Sequence, residues 1–204
     1  MSKGSENQVF ESFGKGIHFN RILGGNLHFR KSFKNSGNKA TFTFYKLQIF
    51  DPKMIIREAK KEDAAQIAAF QLEMALETEN LQLDKHTVDR GVAHVFSDQS
   101  KGTYYVAEKN GEVVASLLTT YEWSDWRNGT VLWIQSVYVR PQFRGNGIYK
   151  KMYRHIQQLV EQDGKLKGIR LYVDQTNIRA QQVYQKLGMT AEHYQLFEWL
   201  KNEA

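Results

Sequence analysis

Cysteine is absent from the 204 residues. That excludes a disulfide scaffold, a thiol nucleophile and any cysteine-ligated zinc or iron–sulfur site. Long apolar runs are missing as well. No stretch approaches the roughly 18 consecutive apolar residues of a membrane span, so no membrane partner is expected. The six histidines (His18, His28, His86, His94, His155 and His193) show no H-E-x-x-H spacing, and no metal site is expected. What is present suffices for a core: 41% hydrophobic and 25% charged residues suit one ordinary globular domain with an appendage.

The formal net charge of +6 suggests a polyanionic partner until it is located. Residues 1–53 hold nine Lys/Arg against three Asp/Glu, whereas residues 54–204 hold 19 of each. The whole imbalance therefore lies in the first quarter of the chain, and the two parts read differently.

Residues 1–53 form a basic extension with six of the 15 glycines and eight of the 12 phenylalanines. Glycine recurs too often for a helix or a long strand. Only Ala40–Phe50 alternates like a short strand or hairpin arm. Three readings stay open. The first is a poorly ordered leader or an upstream extension of the reading frame. The second is a targeting segment, although it lacks a secretory apolar core. The third is a basic, aromatic arm for nucleic acid or an anionic surface.

From Met54 the pattern becomes regular. Met54–Ala59 alternates as a first strand. Lys60–Glu77 carries Ile67, Phe70 and Met74 on one helical stripe, and Asp84–Phe96 carries Val88, Val92, Val95 and Phe96 on another. Thr103–Glu108, Val113–Tyr121 and Val131–Val139 read as strands, with turn signals at Asn110-Gly111 and Asn128-Gly129. A helix follows with Ile148, Met152, Ile156, Leu159 and Val160 on one face. Gly168–Val173 is a strand, Ile178–Leu187 a short helix capped by Gly188, and Ala191–Leu200 alternates as a last strand. The order predicts an α/β fold: a mixed, mostly antiparallel sheet with helices on both faces.

The most informative stretch is Ser136–Lys151, S-V-Y-V-R-P-Q-F-R-G-N-G-I-Y-K-K. A strand ends at Pro141, and a loop bracketed by Gly145 and Gly147 leads into a helix. Glycine allows a tight turn and close backbone approach, and the helix start offers unbonded N–H groups and a positive dipole end. Arg140, Arg144, Lys150 and Lys151 add charge. The result is a pyrophosphate cradle. It is neither a dinucleotide fingerprint, since Lys150 stands where a third glycine belongs, nor a P-loop, since Ile148-Tyr149 follow the second glycine.

Gln142-Phe143-Arg144-Gly145-Asn146-Gly147 matches Q/R-x-x-G-x-G/A, and here the chain resembles the GNAT superfamily of N-acetyltransferases. Asn177-Ile178-Arg179-Ala180-Gln181-Gln182-Val183-Tyr184-Gln185-Lys186-Leu187-Gly188-Met189 is similar to a second block of that family, N-x-x-A-x-x-x-Y-x-x-x-G-F/M. The resemblance covers about 54–200. It implies acetyl-coenzyme A as co-substrate and direct attack by an amine in a ternary complex. It implies cofactor contacts at Gln142, Arg144, Gly145, Asn146, Gly147, Ile148 and Tyr149 in the loop and helix start. Backbone N–H groups at Val137, Tyr138 and Val139 would hold the pantetheine and polarise the thioester, on a strand splayed at a bulge. Asn177, Arg179 and Lys186 would contact the cofactor arm. Tyr184 would protonate the departing thiolate, a role a phenol within hydrogen-bond reach can fill. The plain alternative for Tyr184 is a packed helix-face tyrosine.

The base that deprotonates the acceptor is less clear in the pattern. Tyr121–Gly129 and Trp133–Ser136 resemble the hairpin of diamine acetyltransferases, but Gln135 stands where that branch has an acidic residue. Glu122, Asp125 or a water is then the expected base, unless the two carboxylates merely cap the turn beside Arg127. Trp123, Trp126 and Trp133, with Gln135, are the expected acceptor contacts, through cation–π interaction, although Trp133 also alternates as a packing residue. Three functional readings remain at this point. They are an enzyme on a small amine, a protein lysine or N-terminal acetyltransferase, and a non-catalytic acyl-coenzyme A binder. A cytoplasmic location is expected, as monomer or homodimer, with nucleic acid a partner only through residues 1–53.

Overall fold

The computed structural model describes residues 54–199 and Lys201. The expectations for residues 1–53 lie outside the described residues.

The domain begins with β1 (Met54–Glu58), α1 (Ala64–Glu79) and α2 (Lys85–Ser97). A meander of β2 (Thr103–Lys109), β3 (Glu112–Ser124) and β4 (Gly129–Val139) follows, then α3 (Ile148–Gln162), β5 (Leu166–Leu171) and α4 (Ile178–Lys186). The five strands lie in sequence order, β1 to β4 antiparallel and β4–β5 parallel. The parallel step arises because α3 carries the chain back over the sheet between β4 and β5.

Local chemistry sets these elements. Asp84 accepts a hydrogen bond from the Thr87 amide at 2.7 Å and starts α2, and Asn177 does the same for α4 through the Ala180 amide at 3.0 Å. Asn110 and Gly111 both take positive φ (56° and 80°), the backbone that a two-residue hairpin requires. Gly129 is needed for another reason: a Cβ there would stand 2.7 Å from the Lys165 carbonyl, where β4 and β5 begin to pair.

The core has two layers. Ile67, Ala68 and Val92 from α1 and α2 pack on Tyr104 and Val106 of β2. Ile148, Met152, Tyr153 and Ile156 of α3 pack on the opposite face, against Ala107, Leu117, Leu132 and Ile134. Alternation along β2 supplies both layers, as a sheet buried on each side demands.

One predicted element does not form. Residues 191–199 are irregular, and Tyr194, Leu196, Phe197 and Trp199 are exposed, so the described sheet stops at β5. Alternation specifies which face a side chain would take, but a strand also needs a neighbour to bond to. Among the described residues none pairs on the outer edge of β5.

Candidate active site

The site is built where β4 leaves its neighbours. On the β3 side, Ser116 pairs with Tyr138 but Leu118 pairs with Gln135. Ser136 and Val137 therefore stand opposite Leu117 alone, which is a β-bulge. Ser136 adopts φ 53°, a left-handed conformation that costs a non-glycine residue about 1–3 kcal/mol. On the other side, pairing with β5 ends at Ile134. From Gln135 onward β4 runs without β5, which ends at Leu171, and the cleft is the space along this unpaired edge of β4.

The backbone in that cleft is directional. The Arg140 amide donates to the Val114 carbonyl at 3.0 Å, so Arg140 and Tyr138 turn their amides towards β3. Val139 turns the other way. Its carbonyl accepts Arg144 Nε at 2.7 Å, and its N–H points to the same open side.

Beyond Pro141 the chain makes one 3₁₀ turn and enters the glycine loop. Gly145 and Gly147 have φ 80° and 71°, and a Cβ at either would meet nothing within 4 Å. Left-handed backbone beside open space is what close ligand approach requires. The first intrahelical bond of α3 joins the Lys151 amide to the Gly147 carbonyl at 3.1 Å. Among the described residues the amides of Gly145, Asn146, Gly147, Ile148 and Tyr149 have no backbone partner. Asn146 braces the loop by donating to the Phe143 carbonyl at 3.1 Å. Gln142 is exposed.

The charge around the loop differs from the sequence reading. Arg140 is paired with Glu112, and Arg144 clamps both carboxylate oxygens of Glu77 while stacking 5.3 Å above the Tyr138 ring. That guanidinium holds the Glu77 carboxyl below its ordinary range. Lys150 and Lys151 make no ion pair among the described residues, and they are the cations left to meet an anion.

Tyr184 lies beside this loop. Its ring meets Tyr149, in the first turn of α3, edge-on at 5.5 Å between centroids. Burial raises the Tyr184 phenol above its ordinary value, while the nearby Tyr149 hydroxyl pulls it back. A phenol in that range keeps its proton at neutral pH and can give it away. Asn177 spends its side-chain oxygen capping α4, and Arg179 and Lys186 are exposed on that helix.

The acceptor residues expected from the hairpin are not brought to the cleft. Glu122 pairs with Val131, five residues before Ser136, which at the rise of a strand is about 16 Å away. Its carboxylate accepts from Trp133 Nε1 and from Arg170 at 2.5 Å, and these donors hold it below the ordinary carboxylate range. Asp125 lies beyond the Ser124–Gly129 pair, so more than about 20 Å of strand separates it from the bulge, and it caps the turn by accepting the Trp126 amide at 2.8 Å. Trp123 and Trp126, 65% and 87% exposed, share that far end. Trp133 packs towards Tyr172 at 6.4 Å. Gln135 alone of this group stands at the mouth, its amide donating to Thr120 Oγ1 at 2.6 Å.

Sequence reasoning missed Glu73. It lies on α1, exposed, and accepts a hydrogen bond of 2.9 Å from the hydroxyl of Tyr138, the residue that follows the bulge. Glu73 and Glu77 stand one helical turn apart and both reach β4 or its loop. Only the spacing Glu73–Glu77 on the edge of an apolar stripe could have flagged them.

The sequence model of the acetyltransferase (GNAT) family matches residues 66–189, from α1 to the turn after α4. The chain belongs to that family. Among solved structures it is similar to a possible acetyltransferase from Clostridium difficile 630, at 40% identity and TM-score 0.69, over 74% of this chain and 99% of the other. It also resembles the crystal structure of a predicted acetyltransferase with acetyl-CoA from Clostridium acetobutylicum, at 20% identity and TM-score 0.56, over 74% and 96% of the two chains; at that identity the likeness is one of fold. Among curated proteins it is similar to the spermine/spermidine N(1)-acetyltransferase of Bacillus subtilis, 31% identical over 87 residues, 43% of this chain. The chain spans 56% of that relative's length. In this GNAT domain the β4 bulge leads into the glycine loop, and Tyr184 meets Tyr149 in the helical turn that follows it. No helix among the described residues is long and apolar enough to cross a membrane.

Proposed function

We propose that the domain is an N-acetyltransferase that carries the acetyl group of acetyl-coenzyme A directly to the primary amine of a small molecule. The observation that carries this reading is the edge of β4 beyond Ile134, unpaired by β5, which runs through the Ser136–Val137 bulge to the glycine loop at the start of α3. The amides of Gly145 to Tyr149, with Lys150 and Lys151, suit a pyrophosphate. The open edge of β4 around Val137 and Val139 suits an extended pantetheine arm.

Acetyl-coenzyme A supplies the activated acyl group when bound. The chain supplies position and protons. The Val139 amide faces the open cleft and can stabilise negative charge developing on the thioester oxygen. Tyr184 gives its proton to the departing sulfur. Glu73 takes a proton from the acceptor ammonium, because it is the exposed carboxylate held beside the bulge. Glu73 is preferred to Glu122 and Asp125 for this role, because those two carboxylates are placed towards the far end of the hairpin. The name of the Bacillus relative, together with the exposed Glu73 carboxylate, puts polyamines first among the acceptors to assay.

Initial-velocity kinetics on the full chain test the reading. Lines that intersect when acetyl-coenzyme A and amine are varied together are expected for direct attack. Parallel lines, the mark of an acetylated enzyme, would overturn it.

A further inference from the structure

Tyr149 is the one large side chain of the α3 first turn whose polar end has nothing to bond. Its hydroxyl is buried without a hydrogen-bond partner. A phenol buried that way forfeits the hydrogen bonds it made with water, and a phenylalanine would fill the same space without that loss. The ring is fixed by Tyr153 on its own helix, 6.3 Å away, and by Tyr184 on α4, 5.5 Å away and edge-on. These two phenols are the titratable groups that bear on it. One of them is the residue placed above as the proton donor.

We propose that Tyr149 is a positioning residue for Tyr184: its hydroxyl turns to the Tyr184 oxygen as that oxygen loses its proton, and holds the charge that forms there. The inference rests on the acid role of Tyr184 proposed above. The Tyr184 O–H bond breaks, the proton goes to the thiolate sulfur, and the electron pair stays on the Tyr184 oxygen. Tyr149 keeps its own proton and donates a hydrogen bond to that oxygen. A charge-assisted bond of this kind is roughly twice as strong as a neutral one, so it favours the deprotonated partner more than the protonated one. The arrangement also ties the two ends of the site. Tyr149 follows Gly147 by two residues, so the backbone that would cradle pyrophosphate and the group that steadies the acid belong to one helical turn.

Three proteins test this: Tyr149→Phe, Tyr184→Phe and the double variant. Phenylalanine keeps the ring and its packing, and thermal melts verify the fold. The expected result is a fall in kcat of about fivefold or more for Tyr149→Phe, with the KM for acetyl-coenzyme A unchanged. The double variant should match Tyr184→Phe, because a positioning residue has nothing left to position. A second readout needs no cosubstrate. In protein labelled with 13C at the tyrosine Cζ, the Tyr184 resonance should titrate at higher pH in Tyr149→Phe than in wild type. Wild-type kcat and an unmoved Tyr184 titration in Tyr149→Phe would overturn the inference. A double variant slower than Tyr184→Phe by the full Tyr149→Phe factor would also overturn it, since additive losses mark separate roles. Wild-type kcat in Tyr184→Phe would remove the acid itself, and is distinguishable because it appears in a different protein.

Discussion

Replacing Gly147 with valine separates backbone strain from ligand exclusion. Gly147 caps α3 with φ 71° and ψ 19°, a left-handed conformation. An L-residue there loses about 1–2 kcal/mol, and a β-branched one sits at the upper end. Contacts add little, because a Cβ would meet nothing within 4 Å. For a domain of about 150 residues, such a loss lowers the Tm by roughly 2–8 °C. Gly188 is the control. It also has a left-handed backbone, φ 86°, and open space around its Cβ, but it closes α4 rather than starting α3. Gly188→Val should lower the Tm by a similar amount. The two variants part company in calorimetric titration with coenzyme A. The open space at Gly147 is where the pyrophosphate is proposed to lie, so affinity should fall by more than tenfold, about 1.4 kcal/mol, in Gly147→Val alone. Equal destabilisation with equal, near-wild-type affinity in both would refute the cradle.

Other outcomes follow from the same geometry. Glu73→Gln should lower kcat/KM at neutral pH and regain activity as pH rises and more acceptor becomes neutral; a wild-type pH–rate profile would remove Glu73 as the base. Gln135→Glu places a carboxylate at the mouth of the cleft at the cost of the bond to Thr120. It should raise kcat/KM for polyamines relative to monoamines, measured on both series. Asp63→Asn breaks the bidentate pair with Arg57, at 2.7 and 3.1 Å, and should cost about 1–2 kcal/mol in urea denaturation at pH 7. The Arg57 hydrogen bonds hold the Asp63 carboxyl below its ordinary value. Its contribution is therefore full above the unfolded pKa and disappears as pH falls through the folded one. Wild type and variant should converge in acid.

The elements with strong periodicity were legible. The α3 stripe at Ile148, Met152 and Ile156 is the buried face, and Asn110-Gly111 is the hairpin turn. The glycine loop was legible because glycine at left-handed positions leaves a mark in the sequence. Ser136 leaves none: it takes φ 53° without being glycine, so the bulge that opens the cleft shows only in the register. The charges misled for a related reason. Arg144 and Glu77 are 67 positions apart, and no local pattern reveals that the arginine is already neutralised. Glu73 was hidden in the same way, since its partner Tyr138 lies 65 residues on. Glu122 and Asp125 share a hairpin with Gln135, and only the register shows how far along it each one stands. Along β4 the strand rise carries them well away.

Thiol release by the full chain, with acetyl-coenzyme A and a panel of small amines including spermidine and spermine, tests the central claim most directly. The account predicts release that requires both substrates, matched mole for mole by acetylated small amine. Release only with peptide acceptors would contradict the small-molecule reading. Coenzyme A binding with no release from any acceptor would contradict catalysis itself.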